Sequence, residues 1–431
     1  MKKFISLFLA LCIMCCSFTV ISFAAADETC LKTFDERKET SGKMLVTPGE
    51  NEHNLNFTWF SDSRSEEFCY SSDDTEKTTA KVVTCLTASG YKHTVKLTSL
   101  EAGEYDYTYT ADKTQYSDNT VTVADTTGEY TVMYCTDPQL GRSGEKNSET
   151  SVANDEYGFE QTVSDAVSRN AGLIICGGDM INEGFSQSQM NVLLSTDKLN
   201  CVPFAATAGN HDFYSPLYAR YYSETGKKGF GNDRYFTHGE ALFIILDSNN
   251  ISVTSHETTL KNALDDYPDA KWRIVVMHHS PYSADTDEFS NKVAGKSLTP
   301  LFDEYNIDLV LSGHDHFYAR TYAIKDEEVD TDGTVYLQAG SASGGKCGHF
   351  TTDGNEYIEF SQDLDEASYS LLTFSDDTLT INSYVTNNDT PFDTFTLTSK
   401  TDRNDSPAWS IFAKLIRMII ELFNKICNVI K

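Results

Sequence analysis

The stretch from Ile307 to Arg320 reads IDLVLSGHDHFYAR, and its pattern indicates which fold the rest of the chain should have. A short apolar run ends at a glycine, and two histidines, His314 and His316, follow with one residue between them. Short apolar runs of this kind predict buried strands, and the whole chain has only ten histidines. Two histidines at the end of one strand therefore indicate a site at the edge of a sheet.

Four further apolar runs end in polar side chains of the same kinds. The runs are YTVMYC, AGLIIC, VPFAATAG and WRIVVM, and behind them stand Asp137, Asp179, Asn210 with His211, and His278. Helix-like segments separate the runs, which predicts an α/β domain with buried strands. In open α/β sheets, sites form where the carboxyl ends of the strands meet. We therefore expect these side chains to lie together.

Oxygen and imidazole donors together suit manganese, iron or zinc. Six such donors exceed what one ion takes from a protein while it keeps a position open for catalysis. Two ions about 3.5–4 Å apart stabilise both the attacking and the leaving oxygen of an in-line displacement at phosphorus. The sequence thus predicts two divalent or mixed-valence ions (manganese, iron or zinc) and a small phosphate ester as substrate.

The organisation of the chain indicates a multidomain protein. Residues 43–125 alternate with period two, which predicts an all-β sandwich, and the stripe Tyr105, Tyr107 and Tyr109 is expected to pack in its core. Residues 128–400 carry the α/β pattern and close with further strands. With 431 residues, two domains are the expectation.

The two ends of the chain predict export and contact with a membrane surface. Residues 1–26 have two lysines, a long apolar run and small residues before Asp27, which is typical of a secretory signal peptide, the alternative being an uncleaved anchor. Residues 408–431 predict a helix with a wide apolar face and mostly basic charges. It either lies on a membrane surface or docks on its own domain or on a partner subunit.

The net charge limits the classes of molecule that the protein can bind, and the positions of the cysteines indicate which of them are expected to be free. Lysine plus arginine is 34 against 64 for aspartate plus glutamate, and the net charge of −30 repels nucleic acid. A phosphate-bearing substrate then needs a local cation. Cys135 and Cys176 lie inside apolar runs and are expected to be free buried thiols. Cys69 and Cys85 are candidates for a disulfide in the first domain.

The ordered set of blocks resembles the calcineurin-like metallophosphoesterases, and within them the purple acid phosphatase branch. GNHDF, WRIVVMHHSPYS and SGHDHFYAR resemble its catalytic blocks, and DTPFDTFTLTSK resembles its closing strand. TPGENEHNLNFTWFS and YKHTVKLTSLEAGEYDYTYT resemble its N-terminal sandwich. The resemblance covers roughly residues 43–400. It implies a fibronectin/Ig-like sandwich followed by a four-layer (αββα) catalytic domain.

The resemblance also implies roles for individual residues. Asp137, Asp179 and His316 would hold the first metal, with Asp179 bridging to a second metal that Asn210, His278 and His314 complete. A metal-bound hydroxide would attack phosphorus, Asn210 and His211 would contact the substrate phosphate, and His211 would protonate the leaving group. His279 is adjacent to His278, and consecutive residues of an extended strand point to opposite sides, so one ligand is expected here. The family pattern favours His278.

Two positions depart from the purple members. Asn182 stands where they have a tyrosine on the ferric ion, so we predict a protein without purple colour. Gln139 stands where many relatives place a histidine, and its amide oxygen suits a divalent ion, or it hydrogen-bonds a metal water.

Other residues near the blocks have less specific patterns. Asp212 is expected to orient His211 or to cap the local turn, and Tyr282 is a candidate for lining the substrate pocket. Tyr318 and Arg320 are expected to brace the structure, the alternative being contact with the substrate.

The resulting hypothesis is a secreted, acid-phosphatase-like enzyme that hydrolyses phosphomonoesters. A phosphodiesterase or nucleotide hydrolase with the same site is the first alternative. A surface binding protein with a residual metal site is the second.

Overall fold

The computed structural model describes residues 43–196, 198–283, 295–349 and 356–400. The predicted signal peptide (1–26) and the predicted C-terminal helix (408–431) lie outside these ranges. Within the described part of the chain, no helix is long and apolar enough to cross a membrane.

The N-terminal part is a sandwich of two four-stranded antiparallel sheets. Its strands are β1 (Leu45–Pro48), β2 (Leu55–Ser61), β3 (Phe68–Ser71), β4 (Thr78–Thr79), β5 (Val83–Thr87), β6 (Gly90–Leu97), β7 (Gly103–Ala111) and β8 (Thr114–Val123). The strand orders are β1-β2-β6-β5 and β4-β3-β7-β8. The all-β prediction for this region is thus confirmed, whereas the fibronectin-like assignment stays a prediction.

The inward side chains of both sheets form one aromatic core. Trp59 and Phe68 are fully buried there, and the tyrosine stripe of β7 is buried with them, as predicted. The predicted disulfide is wrong, because Cys69 and Cys85 are both free. They lie on β3 and β5, which belong to different sheets.

The second part of the chain contains two larger sheets. Its strands are β9 (Tyr130–Cys135), β10 (Ala171–Cys176), β11 (Phe204–Ala206), β12 (Lys227–Lys228), β13 (Arg234–His238), β14 (Ala241–Ile245), β15 (Trp272–Val276), β16 (Leu309–Ser312), β17 (Tyr318–Thr321), β18 (Ile324–Lys325), β19 (Glu328–Val329), β20 (Val335–Gln338), β21 (Ile358–Gln362), β22 (Ser368–Ser375), β23 (Thr378–Val385) and β24 (Asp393–Thr398). The helices are α1 (Glu149–Ser168), α2 (Gln187–Leu193), α3 (Asn210–Phe213), α4 (Pro216–Tyr222), α5 (Val253–Asp266) and α6 (Thr299–Glu304), with a 3₁₀ turn at Lys296–Leu298.

The two sheets stack face to face, and helices cover both outer faces. One sheet has the order β11-β10-β9-β22-β23-β24, and the other has β12-β13-β14-β15-β16-β20-β17-β21. Alternate residues of β9 show the layering: Val132 and Tyr134 pack between the sheets, whereas Met133 and Cys135 pack against the helix side. A third apolar cluster joins the outer face of the second sheet to α5 and α6. This is the four-layer αββα arrangement that the resemblance implied.

The site-bearing strands run parallel within each sheet. Strands β9, β10 and β11 are parallel neighbours in the first sheet, and β14, β15, β16 and β20 are parallel neighbours in the second. The Tyr134 hydroxyl joins the two sheets near this edge, donating to the carbonyl of Ser312 at 2.6 Å. The carboxyl ends of both sets therefore meet at one place.

The sandwich is tied to the second part of the chain by polar contacts. The Glu224 carboxylate, after α4, pairs with Lys92 at 3.2 Å and with Lys96 at 3.0 Å, both on β6. The Asn56 side chain donates to the Glu224 carbonyl at 2.7 Å, and the Tyr107 hydroxyl donates to the carbonyl of Asn200 at 2.9 Å. The two parts are therefore docked through their own residues.

Tyr318 and Arg320 brace the closing strand, as predicted. Arg320 donates to Asp393 at the start of β24 through Nε, at 2.8 Å, and through Nη2, at 3.2 Å. The Tyr318 hydroxyl donates to the same carboxylate at 2.8 Å. All three side chains are buried, so this network fixes β17 against β24 without facing the site.

Candidate metal centre

Five of the predicted site residues have left-handed backbone conformations. The φ angles are 50° at Asp137, 39° at Gln139, 51° at Asp179, 81° at His314 and 61° at His316. Such angles are uncommon outside glycine, and they cost energy that tertiary contacts must supply. Strained residues that cluster in this way are typical of functional sites.

The two histidines after β16 do not follow an extended backbone. An extended chain would place residues i and i+2 on one side, but His314 and His316 both lie in left-handed turns beyond the strand. His314 contacts His278, and His316 contacts Asp137. They still belong to two different groups of donors, and the turn accounts for the separation.

The first group contains Asp137, His316 and Gln139. One oxygen of Asp137, Oδ2, accepts from the Thr136 hydroxyl at 2.6 Å and from the His314 amide at 2.9 Å. The other oxygen, Oδ1, is buried without a hydrogen-bond partner and lies 3.4 Å from His316 Nε2. His316 donates through Nδ1 to the carbonyl of Lys346 at 3.1 Å, so the neutral ring presents the lone pair of Nε2 to Asp137.

Gln139 adds a further unpaired acceptor to this group. Its Oε1 atom is buried and has no hydrogen-bond partner. Buried acceptors without donors are costly, and a bound cation would remove that cost. The first group therefore fits a small cation.

The second group contains Asp179, Asn210, His278 and His314. His278 Nε2 lies 3.0 Å from Asn210 Oδ1, 3.4 Å from Asp179 Oδ2 and 3.2 Å from His314 Nδ1. His278 donates through Nδ1 to the carbonyl of Gly177 at 2.9 Å, which leaves the lone pair of Nε2 free to bind a metal. Ligand atoms of Asp179, His278 and His314 all lie within 4.8 Å of one another.

The electrostatics of the second group favour positive charge. Burial works against the charged imidazolium, but Asp179 and Asp137 outweigh it and raise the pKa of His278 to about 10. Burial also opposes the charged form of Asp179, yet His278 and His211 hold the pKa of that carboxyl well below its usual range. Both shifts have the same cause, which is the attraction between these carboxylates and a positive charge at the imidazole.

His279 packs beside the second group, with its ring centroid 4.8 Å from that of His314, but its Nδ1 atom is directed to Ser248. Its Nδ1 atom lies 2.9 Å from the Ser248 hydroxyl. Burial, together with the neighbouring His278 and His314, lowers its pKa to about 2. His279 is therefore a neutral packing residue, and the geometry agrees with the choice of His278 as the ligand.

A cavity of about 340 Å³ opens onto both groups. The predicted site residues Gln139, Asp179, Asn210, His211, His314 and His316 line it, together with Asp315, Phe317, Lys346, Gly348 and His349. His211 donates through Nδ1 to the carbonyl of Asn182 at 2.7 Å, and its amide donates to Asp179 Oδ1 at 2.8 Å. Its side chain is 34% exposed, so its ring is held in place and remains accessible from the cavity.

Two predicted site residues lie elsewhere. Asp212 does not touch the His211 ring: its Oδ2 atom accepts from the amides of Gly209, at 3.0 Å, and Met180, at 3.3 Å. It is a buried cap of the turn, and burial together with the charge of Asp179 raises its pKa to about 8. Of the two roles expected for Asp212, the cap of the local turn is confirmed, and the structure shows no hydrogen bond through which Asp212 would orient the His211 ring.

Tyr282 is 6% exposed and packs against the rings of Tyr336 and Tyr357, with centroids 4.7 and 5.2 Å away. The prediction that it lines the substrate pocket is wrong, because apolar packing against the second sheet holds its ring. Asn182 also turns away from the ligands, since its amide donates to Asn147 at 2.7 Å. The predicted lack of colour stays a prediction.

Sequence reasoning missed Lys346. It lies in the glycine-rich loop that follows β20, it lines the cavity, and burial and the Arg142 charge lower its pKa. The acidic composition indicated that a phosphate-bearing substrate needs a local cation. That requirement was a signal for a residue such as Lys346. The position of the loop was not readable from the sequence.

Comparison with known proteins agrees with this geometry. Residues 130–318 match the family model described as Calcineurin-like phosphoesterase. The structure is similar to purple acid phosphatase PPD1 from yellow lupin (Lupinus luteus) seeds, with a TM-score of 0.65 and 16% identity over 84% of this chain and 75% of that one. It is also similar to PhoD, with a TM-score of 0.58 and 13% identity over 83% of this chain and 88% of that one.

Curated relatives match over a shorter stretch. The uncharacterized proteins MT2654 and Rv2577 of Mycobacterium tuberculosis are each 34% identical over 70 residues, which is 16% of this chain and 13% of theirs. Residues 130–318 thus match the model of a calcineurin-like phosphoesterase domain, and the two solved structures share the fold of this chain. Its N-terminal sheets and mixed α/β part correspond to the purple acid phosphatase fold, and Asp179, His278 and His314 form a group with the residue types and spacing to hold a metal ion.

Proposed function

We propose that the protein is a secreted dinuclear-metal phosphoesterase that hydrolyses phosphomonoesters. The observation that carries the proposal is the pair of donor groups at the meeting edge of the two sheets. In the first group Asp137 Oδ1 and Gln139 Oε1 are buried without a hydrogen-bond partner, and in the second group the donors of Asp179, Asn210 and His314 surround His278 Nε2. Such an arrangement is stabilised by cations, and it matches two ions better than one.

The donor atoms define what each residue would hold. Asp137, Gln139 and His316 would bind the first ion, and Asn210, His278 and His314 the second, with Asp179 facing both groups. When bound, the ions neutralise the phosphoryl oxygens and lower the pKa of a water molecule so that it can act as the nucleophile.

His211 supplies the proton for the leaving group. Its Nδ1–H is committed to the Asn182 carbonyl, so the second proton of the charged ring resides on Nε2. A protonated Nε2 within reach of the ester oxygen donates as that oxygen leaves. The bond from the His211 amide to Asp179 fixes the start of α3 against the donor groups, and this orients the ring.

Hydrolysis of p-nitrophenyl phosphate by purified protein supplied with manganese tests the proposal. Asn210→Ala and His314→Ala each remove a donor of the second group, and we expect kcat to fall by a factor of about 10² or more. Elemental analysis of the same preparations should show metal loss in the variants. Full activity in both variants would refute the proposed site.

The alternatives give different outcomes in the same experiment. Faster turnover of bis-p-nitrophenyl phosphate or cyclic nucleotides would indicate a phosphodiesterase. Protein without bound metal and without hydrolysis of any ester would indicate a binding protein. Export of the chain and contact of residues 408–431 with a membrane surface are proposals that rest on the sequence.

A further inference from the structure

We propose that Lys346 binds the phosphate group of the substrate and makes the site prefer the dianionic head of a phosphomonoester over the single charge of a diester. This inference rests on the proposed function and goes beyond the metal ligands. It assigns the monoester preference to a side chain that belongs to neither donor group.

Lys346 lies where a substrate must enter. It lines the same cavity as Asn210 and His211, and its backbone carbonyl accepts the Nδ1–H of His316 at 3.1 Å. The residue is half-buried, and no carboxylate of the described ranges forms an ion pair with its ammonium group. Its side chain is thus a cation beside the cavity that is available for an anion.

The loop that carries Lys346 is held firmly against α1. A Cβ on Gly345 would lie 2.3 Å from Asp155 Oδ1, and a Cβ on Gly158 would lie 2.1 Å from the carbonyl of Ser343, so the loop and the helix touch through glycines. The other oxygen of Asp155 accepts from the amide of Arg142 at 2.7 Å. One buried carboxylate therefore accepts from the loop at Arg142 and packs closely against Gly345, the residue before Lys346.

The charge of the surroundings makes this lysine important. The protein has a net charge of −30, and the cavity is lined by the carboxylates of Asp179 and Asp315. Among the lysines and arginines of the described ranges, Lys346 is the one that lines the cavity. The attraction of one cation for a dianion is twice its attraction for a monoanion at the same distance. Removal of the charge should therefore penalise monoesters more than diesters.

Three variants of the metal-loaded protein test this. Lys346→Met removes the charge and keeps most of the apolar stem, and Lys346→Arg keeps the charge. Lys325→Met, on β18, makes the same charge change at a lysine that does not line the cavity. The kinetic parameters kcat and KM are measured for p-nitrophenyl phosphate and bis-p-nitrophenyl phosphate. Binding of inorganic phosphate is measured separately by calorimetry, and metal content is measured for every variant.

We expect Lys346→Met to lower kcat/KM for the monoester about 10- to 100-fold, mainly through KM, as for a lost hydrogen bond to a charged group. The loss for the diester should be several-fold smaller, phosphate binding should weaken in parallel with the monoester, and metal content should not change. Lys346→Arg should recover most of the loss, and Lys325→Met should behave as the wild type.

Equal losses for both esters, or unchanged phosphate binding, would overturn the inference. Loss of metal from Lys346→Met would also overturn it, because the residue would then act only by supporting His316. If the wild type hydrolyses neither ester, the proposed function fails. In that case weaker phosphate binding by Lys346→Met would still support an anion-binding lysine, and unchanged binding would exclude it.

Discussion

Replacement of Gly209 by alanine isolates the effect of crowding at the bridging carboxylate. Gly209 immediately precedes Asn210, and its φ of −83° and ψ of 177° are angles that alanine adopts without strain. A Cβ at this position would nevertheless lie 2.0 Å from Asp179 Oδ1 and 2.3 Å from the Asp179 amide nitrogen. The substitution therefore acts through steric contact alone.

The size of the expected effect follows from these distances. An ordinary contact begins at 3.4 Å, so the Asp179 carboxylate or the backbone that carries Asn210 must move by about 1.4 Å. Overpacking of this kind costs about 1–3 kcal/mol of stability. Displacement of a reacting group by about 1 Å reduces turnover about 10²-fold. We expect both effects in Gly209→Ala.

The assay compares Gly209→Ala with Gly128→Ala. Gly128 has no atom within 4 Å of its would-be Cβ and has no left-handed φ, so alanine is tolerated there. Both variants are measured for hydrolysis of p-nitrophenyl phosphate, bound manganese and the midpoint of urea unfolding. Gly128→Ala should match the wild type within about 0.5 kcal/mol and twofold in kcat.

The reasoning fails if Gly209→Ala keeps wild-type turnover and metal content. Such a result would mean that Asp179 can move without loss of turnover or of bound metal. The position of its carboxylate would then not be important for catalysis. A loss of stability with unchanged turnover would also contradict the reasoning. It would mean that the added methyl group displaces atoms outside the donor groups and leaves Asp179 in place.

Two further predictions concern stability. Burial, with a smaller contribution from His53, lowers the pKa of His238 from 6.5 to about 4, so the unfolded chain takes up the proton first as pH falls. About 3 kcal/mol of stability is therefore present above pH 6.5 and lost between pH 6.5 and about 4. The free energy of unfolding, measured with urea, should therefore fall by about 3 kcal/mol less in His238→Leu than in the wild type over this pH window. Equal losses in the two proteins would contradict the prediction. Arg320→Met leaves the buried Asp393 carboxylate without its positively charged partner, and we expect thermal or urea unfolding to show a loss of about 3–5 kcal/mol. Lys271→Met breaks exposed pairs instead and should cost about 1 kcal/mol or less, and similar losses in both variants would refute the distinction.

Much of the donor set was predictable because each donor follows an apolar run. Asp137, Asp179, Asn210 and His278 come within a few residues of the ends of parallel strands, and such ends meet at one edge. The αββα layering followed from the family resemblance, and the alternation seen along β9 supports it. Hydrophobic periodicity is a local property of the chain, so it can be recognised without knowledge of the tertiary contacts.

Other features depended on packing that the local sequence does not encode. Tyr282 lies only a few residues beyond His278, yet apolar contacts with Tyr336 and Tyr357 hold it away from the cavity. Asp212 directly follows His211 but serves the amides of the turn. In each case proximity along the chain was a poor guide, because a turn changes the direction of consecutive side chains.

The sequence by itself determined that donors of the right kinds stand behind the strands, because hydrophobic periodicity places the strands and the residue types limit the chemistry. Only the tertiary structure decided which of the two sheets each donor comes from and how its side chain is aimed. The first sheet contributes Asp137, Asp179 and Asn210, and the second contributes His278, His314 and His316. Left-handed turns that long-range contacts stabilise then aim each side chain. Lys346 reaches the cavity for the same reason: its loop is positioned by α1, which lies far from it in the sequence, and not by its own neighbours.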